Sequence, residues 1–200
     1  MSLRLLLVRH GLSSFNVERR IQGRDDLSVL TADGEEQARL TGAALKDVPI
    51  TAAYSSPLRR AASTCEGLLK QRGGDLKPVM DDGLLEIDLE PWSGMSADER
   101  AAQDPDGFRT WKQCPEELEL TRKDGSRYRP LPELMVQARD FLRRLLERHS
   151  LGQTTANCLA FHPARGAIRG RSLPLKERDV GERDRKSTRL NSSHQIISYA

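Results

Sequence analysis

The stretch Leu5-Leu6-Leu7-Val8-Arg9-His10-Gly11 constrains this 200-residue chain more than any other. An apolar run before a polar turn predicts a short strand covered on both faces, as in a parallel sheet flanked by helices. The carboxyl ends of such strands are where α/β sheets place their ligands. Arg9 sets a fixed cation beside the imidazole of His10, and Gly11 lets the backbone come close to a ligand. The arrangement points to a phosphate pocket with His10 as nucleophile. For three residues alone, a strand ending in a polar turn is an equal reading.

The length fits one domain with a small insertion. No apolar run approaches the roughly 20 residues of a membrane span. Met1-Ser2-Leu3-Arg4 leads straight into the first strand without a secretory-signal pattern. Cys65, Cys114 and Cys158 are odd in number and form no CxxC pair, which argues against a zinc site or a disulfide framework. The expectation is a cytoplasmic protein with no membrane partner. The net charge of +3 is uneven: after Pro163 nine Arg and Lys stand against four acids, leaving −2 for residues 1–163. The basicity belongs to the tail, so no nucleic-acid partner is expected.

Leu12 to Leu30 reads as a polar loop whose Arg19, Arg20 and Arg24 form either a solvated face or an anion site. Thr31 suits an N-cap, with a helix to about Lys46 whose Ala38, Leu40, Ala43, Ala44 and Leu45 face a sheet. Ile50–Tyr54 reads as a strand, and Pro57 opens a helix that runs to about Gln71 and closes at Gly73-Gly74. Lys77–Met80 is a further strand, followed by a turn at Asp82-Gly83. Leu84 to Gly94 mixes acids with large apolar residues, which suits a half-buried carboxylate of raised pKa. Residues 95–129 lack periodicity and read as a lid-like insertion with one or two short helices, anchored by Trp111. A helix from Leu131 to about His149 carries the stripe Leu134, Met135, Ala138, Phe141, Leu142 and Leu145, with His149 as a surface residue. Asn157–Phe161 is the next strand and ends at His162.

Taken in order, Arg9-His10-Gly11, Asn16, Gln22-Gly23, Leu30-Thr31 with Gly34, Ser55-Ser56-Pro57-Leu58-Arg59-Arg60-Ala61, and Leu85-Glu86-Ile87-Asp88 with Trp92-Ser93-Gly94 form a pattern. The pattern resembles the histidine phosphatase superfamily, in its phosphoglycerate mutase-like branch. The resemblance implies an α/β fold, a three-layer α/β/α sandwich with a mostly parallel sheet. It implies that His10 attacks phosphorus, that Arg9 and Arg60 hold the phosphoryl oxygens, and that Glu86 protonates the leaving oxygen and then activates water. Asn16, Gln22 and Gly23 line the substrate pocket, and a second histidine donates to the phosphoryl group. The implied partner is a small phosphorylated metabolite, with no metal and no cofactor. Guanidinium forks suit the spreading charge of phosphoryl transfer, and an alkoxide leaving group needs an acid. Helical phase separates Arg59 from Arg60 by about 100°, so only one can face the pocket, and the family pattern favours Arg60.

The second histidine is His162 if two residues are inserted here, or a residue lost near Ala164 if the reading frame is disturbed. Beyond Gly170 the apolar helix and final strand of the family are missing, so the fold is expected to be incomplete at the C-terminus, with a bare sheet edge. That puts the domain at 1–170 and leaves 171–183 without a predicted element. Asp184-Arg185-Lys186-Ser187-Thr188-Arg189-Leu190-Asn191-Ser192-Ser193-His194 resembles the in-frame translation of a common sequencing adapter, so 184–200 is expected to be non-native. The function expected is a phosphomonoester phosphatase. The alternatives are a phosphoglycerate mutase and a non-catalytic phosphate-binding module.

Overall fold

The computed structural model describes residues 5–149 and 196–199. Its helices are α1 (Ser14–Val17), α2 (Ala32–Ala44), α3 (Arg59–Arg72), α4 (Ala97–Gln103), α5 (Pro105–Gln113) and α6 (Pro130–Arg148). Its strands are β1 (Leu5–Val8), β2 (Ala53–Ser55), β3 (Pro78–Met80), β4 (Leu120–Thr121), β5 (Arg127–Tyr128) and β6 (Ile196–Tyr199).

Alternation along β1 sends its side chains into two cores. Leu6 and Val8 pack with Leu45, Ala53, Cys65, Leu68 and Leu69 on the side of α2 and α3. Leu5 and Leu7 pack against Tyr54, Leu84, Phe141 and Leu145 on the side of α6. The first strand is thus covered on both faces, as its unbroken apolar run predicts. β2 and β3 pair in parallel, Ala53 opposite Pro78 and Ser55 opposite Met80.

The expected mostly parallel sheet differs from the pairings seen among the described residues. β2–β3 is the parallel pair; β1–β6 and β4–β5 are antiparallel. One edge of β1 is paired with β6, Leu5 opposite Tyr199 and Val8 opposite Ile196. An open edge beside a buried strand carries N–H and C=O groups that need partners, and an extended segment supplies them. The predicted strand at 157–161 lies outside the described residues.

Thr31 caps α2 as predicted, its side chain accepting from the Gly34 amide at 3.1 Å. The buried face of that helix is nevertheless Gly34, Ala38 and Gly42, while Leu40, Ala43 and Ala44 are exposed. Small residues let α2 press onto α3: a Cβ on Gly42 would stand 2.3 Å from the Leu68 carbonyl oxygen. A pattern read from large apolar residues misses such a face. The same error affects α6, where Phe141 and Leu145 are buried but Met135 and Leu142 are exposed. Pro57 precedes α3, whose N-cap is Leu58, instead of starting it. His149 is not a plain surface residue: its Nε2 lies 2.8 Å from the Tyr54 hydroxyl.

Residues 95–129 build their own core. Trp111 meets Trp92 edge-on at 6.1 Å, with Ile87, Leu89, Leu118, Leu120 and Tyr128 around them. The β4–β5 hairpin adds to the one or two short helices expected here, and Asp124-Gly125 is its turn signal; Gly125 has φ +86°. Arg122 ties the hairpin down through Asp88 and Glu133 and lies 3.8 Å from the Tyr128 ring centroid.

Candidate active site

The end of β1 opens into a cleft of about 730 Å³ whose walls include Arg9, His10, Asn16, Gln22, Gly23 and Glu86. Six of the residues singled out in the sequence are therefore brought together, from separate stretches of chain.

The loop carrying His10 is pinned from several sides. The Gly11 amide donates to Thr64 Oγ1 at 3.0 Å. The Leu12 amide donates to Gln37 Oε1 at 2.8 Å, and the Leu12 carbonyl accepts from the Thr31 amide at 2.9 Å. Gly11 lies against Gly34 so closely that a Cβ on Gly11 would stand 2.3 Å from the Gly34 oxygen. The close approach predicted for Gly11 is thus to the first turn of α2. Thr64, Gln37 and Gly34 fix the loop, and of these only Gly34 belongs to the sequence pattern.

His10 is 5% exposed, and its Nδ1 lies 2.7 Å from the Gly11 carbonyl oxygen. A carbonyl oxygen only accepts, so Nδ1 carries a proton, and in the neutral form the lone pair is on Nε2. This is the protonation pattern that a nucleophilic imidazole requires.

Glu86 is 7% exposed and held by its backbone: its carbonyl accepts from Arg24 Nε at 3.0 Å. Arg24 also reaches Gln137 Oε1 at 2.7 Å, and Gln137 Nε2 donates to the Leu85 carbonyl at 2.9 Å. Of the three loop arginines, Arg24 braces Glu86 while Arg19 and Arg20 line the cleft. No motif marks Arg24 and Gln137 as supports.

Arg60 points inward and Arg59 outward: helical phase separates the two, and the inward one is that favoured by the family pattern. Arg60 is 1% exposed and stands behind the cleft wall, its Nη1 donating to the Asp25 carbonyl at 2.8 Å and its Nη2 to the Gly23 carbonyl at 2.7 Å. Burial pushes its pKa down, and Glu86, Asp26 and Asp25 push it back up, so the guanidinium remains cationic at neutral pH. Asn16 Oδ1 and Gln22 Oε1 lie 2.8 and 2.9 Å from Ser13 Oγ. Gly23 takes φ +52°, a left-handed turn that suits glycine. His162 lies outside the described residues.

Across the cleft, α4 and α5 contribute Ala97, Arg100, Trp111 and Lys112, of which the sequence pattern marks only Trp111, as an anchor. Among the described residues no cluster of His, Cys, Asp or Glu is arranged to hold a metal ion. Nor is any helix among them long and apolar enough to cross a membrane.

Comparison with known proteins identifies the family. The chain is 36% identical over 136 residues, 68% of its length, to a probable 2-carboxy-D-arabinitol-1-phosphatase of Arabidopsis thaliana, of which it spans 27%. It is 31% identical over 147 residues to phosphoserine phosphatase 1 of Hydrogenobacter thermophilus, covering 74% of this chain and 66% of that one. The solved structure of Bacillus stearothermophilus YhfR superposes with a TM-score of 0.67 at 34% identity, over 78% of this chain and 73% of that one. A family model matches residues 5–163, which include every stretch of the cleft described above, and the chain belongs to the histidine phosphatase superfamily, branch 1.

Proposed function

We propose that the protein is a phosphomonoester phosphatase that works through a phosphohistidine on His10, with a small phosphorylated metabolite as substrate. The observation that carries this reading is the Nδ1–Gly11 contact on a buried imidazole in the same cleft as buried Glu86. Nε2 of His10 attacks phosphorus as the ester P–O bond breaks, and protonated Glu86 gives its proton to the departing alkoxide. The resulting carboxylate takes a proton from water, whose oxygen attacks the phosphohistidine and releases phosphate and the free imidazole. Arg9 and Arg60 offset the charge on the phosphoryl oxygens. Arg60 holds the Asp25 and Gly23 carbonyls from behind the cleft wall, and its fixed positive charge is what it brings to the phosphoryl site. Asn16, Gln22 and Gly23 shape the substrate side, and His162 is the further donor.

The two cores on opposite sides of β1 support a three-layer α/β/α sandwich, and residues 95–129 are its lid. The balance of −2 over residues 1–163 favours a small-molecule partner over nucleic acid. Cysteine usage favours a reducing, cytoplasmic setting; neither Cys65 nor Cys114 is in a disulfide. Residues from Asp184 are read as adapter-derived, which genomic DNA from codon 163 onward tests directly.

The decisive experiment on activity is a rapid quench with radiolabelled substrate. Acid-labile label on the wild-type chain, absent in His10→Ala together with a roughly 10⁴-fold or greater loss of turnover, is expected. Conversion of 3-phosphoglycerate to 2-phosphoglycerate without free phosphate would establish a mutase instead, and absence of label and turnover a binding module.

A further inference from the structure

A side chain is aimed by the two soft dihedrals at its Cα, and these are set once the peptide planes on either side of it are held. At Glu86 both planes are held. The plane before it carries the Leu85 carbonyl, which accepts from Gln137 Nε2 at 2.9 Å. The plane after it carries the Glu86 carbonyl, which accepts from Arg24 Nε at 3.0 Å. The two holders are themselves joined, Arg24 Nη2 donating to Gln137 Oε1 at 2.7 Å. A guanidinium only donates and a carbonyl only accepts, so the group between them must accept on one side and donate on the other. A side-chain amide does both.

Each holder rests on a part of the fold that is already fixed. Gln137 lies on α6, and the same face of that helix follows the acid segment in reverse order. Phe141 shares a core with Leu84, and Arg144 donates to Asp81 at 2.8 Å. Residues 137, 141 and 144 recur at the spacing of one helix face. Arg24 lies between Gly23 and Asp25, whose carbonyls accept from Arg60 at 2.7 and 2.8 Å. The turn that Arg60 grips on both sides thus sends its middle residue across to the acid. The cleft walls include Glu86, while Gln137 and Arg24 stand behind them, so what these two do to the reaction passes through Glu86.

We propose that Gln137, with Arg24, is a positioning residue for the general acid: by holding the peptide planes on both sides of Glu86 it keeps the carboxyl where it can protonate the leaving oxygen. This rests on the phosphatase reading, in which Glu86 is that acid. Through the shared turn, the acid is also kept in register with the cation at the phosphoryl site.

The test uses two esters of nearly the same size on the full chain, phenyl phosphate and p-nitrophenyl phosphate. Phenolate is the more basic and gains from a proton as it leaves; p-nitrophenolate gains little. Gln137→Leu, close in volume but without the amide, is expected to lower kcat/KM for phenyl phosphate by about 10- to 100-fold, as for an acid displaced by about 1 Å. For p-nitrophenyl phosphate the expected loss is about threefold or less. Gln137→Glu keeps an acceptor for Arg24 but turns an oxygen toward the Leu85 carbonyl, and the same split is expected. In a Glu86→Gln background, Gln137→Leu is expected to cost about a further twofold or less, because residues that act together are non-additive. Equal losses for the two esters, or a loss that is undiminished in Glu86→Gln, overturns the proposal, since either reports loosened packing and not a displaced acid. If Gln137→Leu does not fold, Arg24→Met, which frees the Glu86 carbonyl, must give the same split and the same dependence on Glu86. Glu86→Gln alone, measured with both esters, keeps the two readings apart. A split there that Gln137→Leu lacks removes the positioning role and leaves the acid in place; no split there removes Glu86 as the acid, and the positioning role with it.

Discussion

The floor and the roof of the cleft are built by different physics. The floor, around Arg9 to Leu12, is fixed by backbone amides and carbonyls, and by glycines pressed against one another where no side chain would fit. The roof, residues 95–129, is fixed by large side chains: Trp111 on Trp92, Arg122 on Tyr128, and ion pairs to Asp88 and Glu133. Backbone contacts set atomic positions and leave little room for substitution. Side-chain packing sets the presence of a layer while allowing its composition to change. The difference teaches that, under the proposed mechanism, the reacting atoms belong to the inflexible part and substrate selection to the exchangeable one.

The largest effect that sharpens this division is expected at Glu86. Glu86→Gln should cut turnover of alkyl phosphates by about 10²–10⁴-fold, because the leaving alkoxide loses its acid. A phosphate ester of the acidic p-nitrophenol should lose far less, and equal losses for the two esters would remove Glu86 from the acid role. In the roof, Trp111→Ala should cost about 3–5 kcal/mol of local stability by emptying the centre of that core. Hydrogen exchange should place the loss in residues 95–129, and an equal loss of protection in β1 would erase the distinction between the two regions. In the floor, Gly34→Ala brings a methyl to within 2.1 Å of the Leu12 carbonyl oxygen. A cost of about 1–3 kcal/mol in denaturant titration, with a fall in kcat, is expected from that one carbon. Unaltered stability and kcat in the Gly34→Ala variant would show that the floor yields.

The smallest effect is one of pH. Burial pushes the Tyr128 phenol up to about 12, with the Asp88 charge adding and Arg122 opposing. The folded value lies above the unfolded value of 10.0, so the fold favours the protonated phenol. The stability tied to it is present in full below pH 10 and is lost as pH rises through about 12. Absorbance titration should show a tyrosine ionising near 12 that Tyr128→Phe removes; its titration near 10 would mean the roof core is wet.

How far the sequence alone can be read follows the same division. The strand ending at Arg9-His10-Gly11 and the cap at Thr31 are legible, because each depends on local periodicity or a local backbone rule; that Arg60 and not Arg59 faces inward is legible only through the family pattern. The glycine faces of α2 are not: Gly34 and Gly42 carry no hydrophobic signal, yet they set how closely α2 approaches Leu12 and Leu68. The supports of Glu86 are equally silent, since Arg24 reaches its carbonyl from 62 residues away and Gln137 holds the neighbouring Leu85 carbonyl from 52. The roof reads as irregular because its contacts are aromatic and ionic, without a period. Arg100 looks like one more surface charge on a short polar helix, and only the assembled rings of Trp92 and Phe108 give it a distinct position.

The contact that holds His10 also bears on how such a site can change over time. The proton on its Nδ1 is held by the carbonyl of the next residue, a backbone atom. That acceptor is backbone, so a change of side chain in the cleft walls does not remove it, while position 11 itself is closed to any side chain by the Gly34 backbone. The tautomer of His10 is therefore set by the path of the peptide chain, and the walls around it are free to diverge without disturbing it.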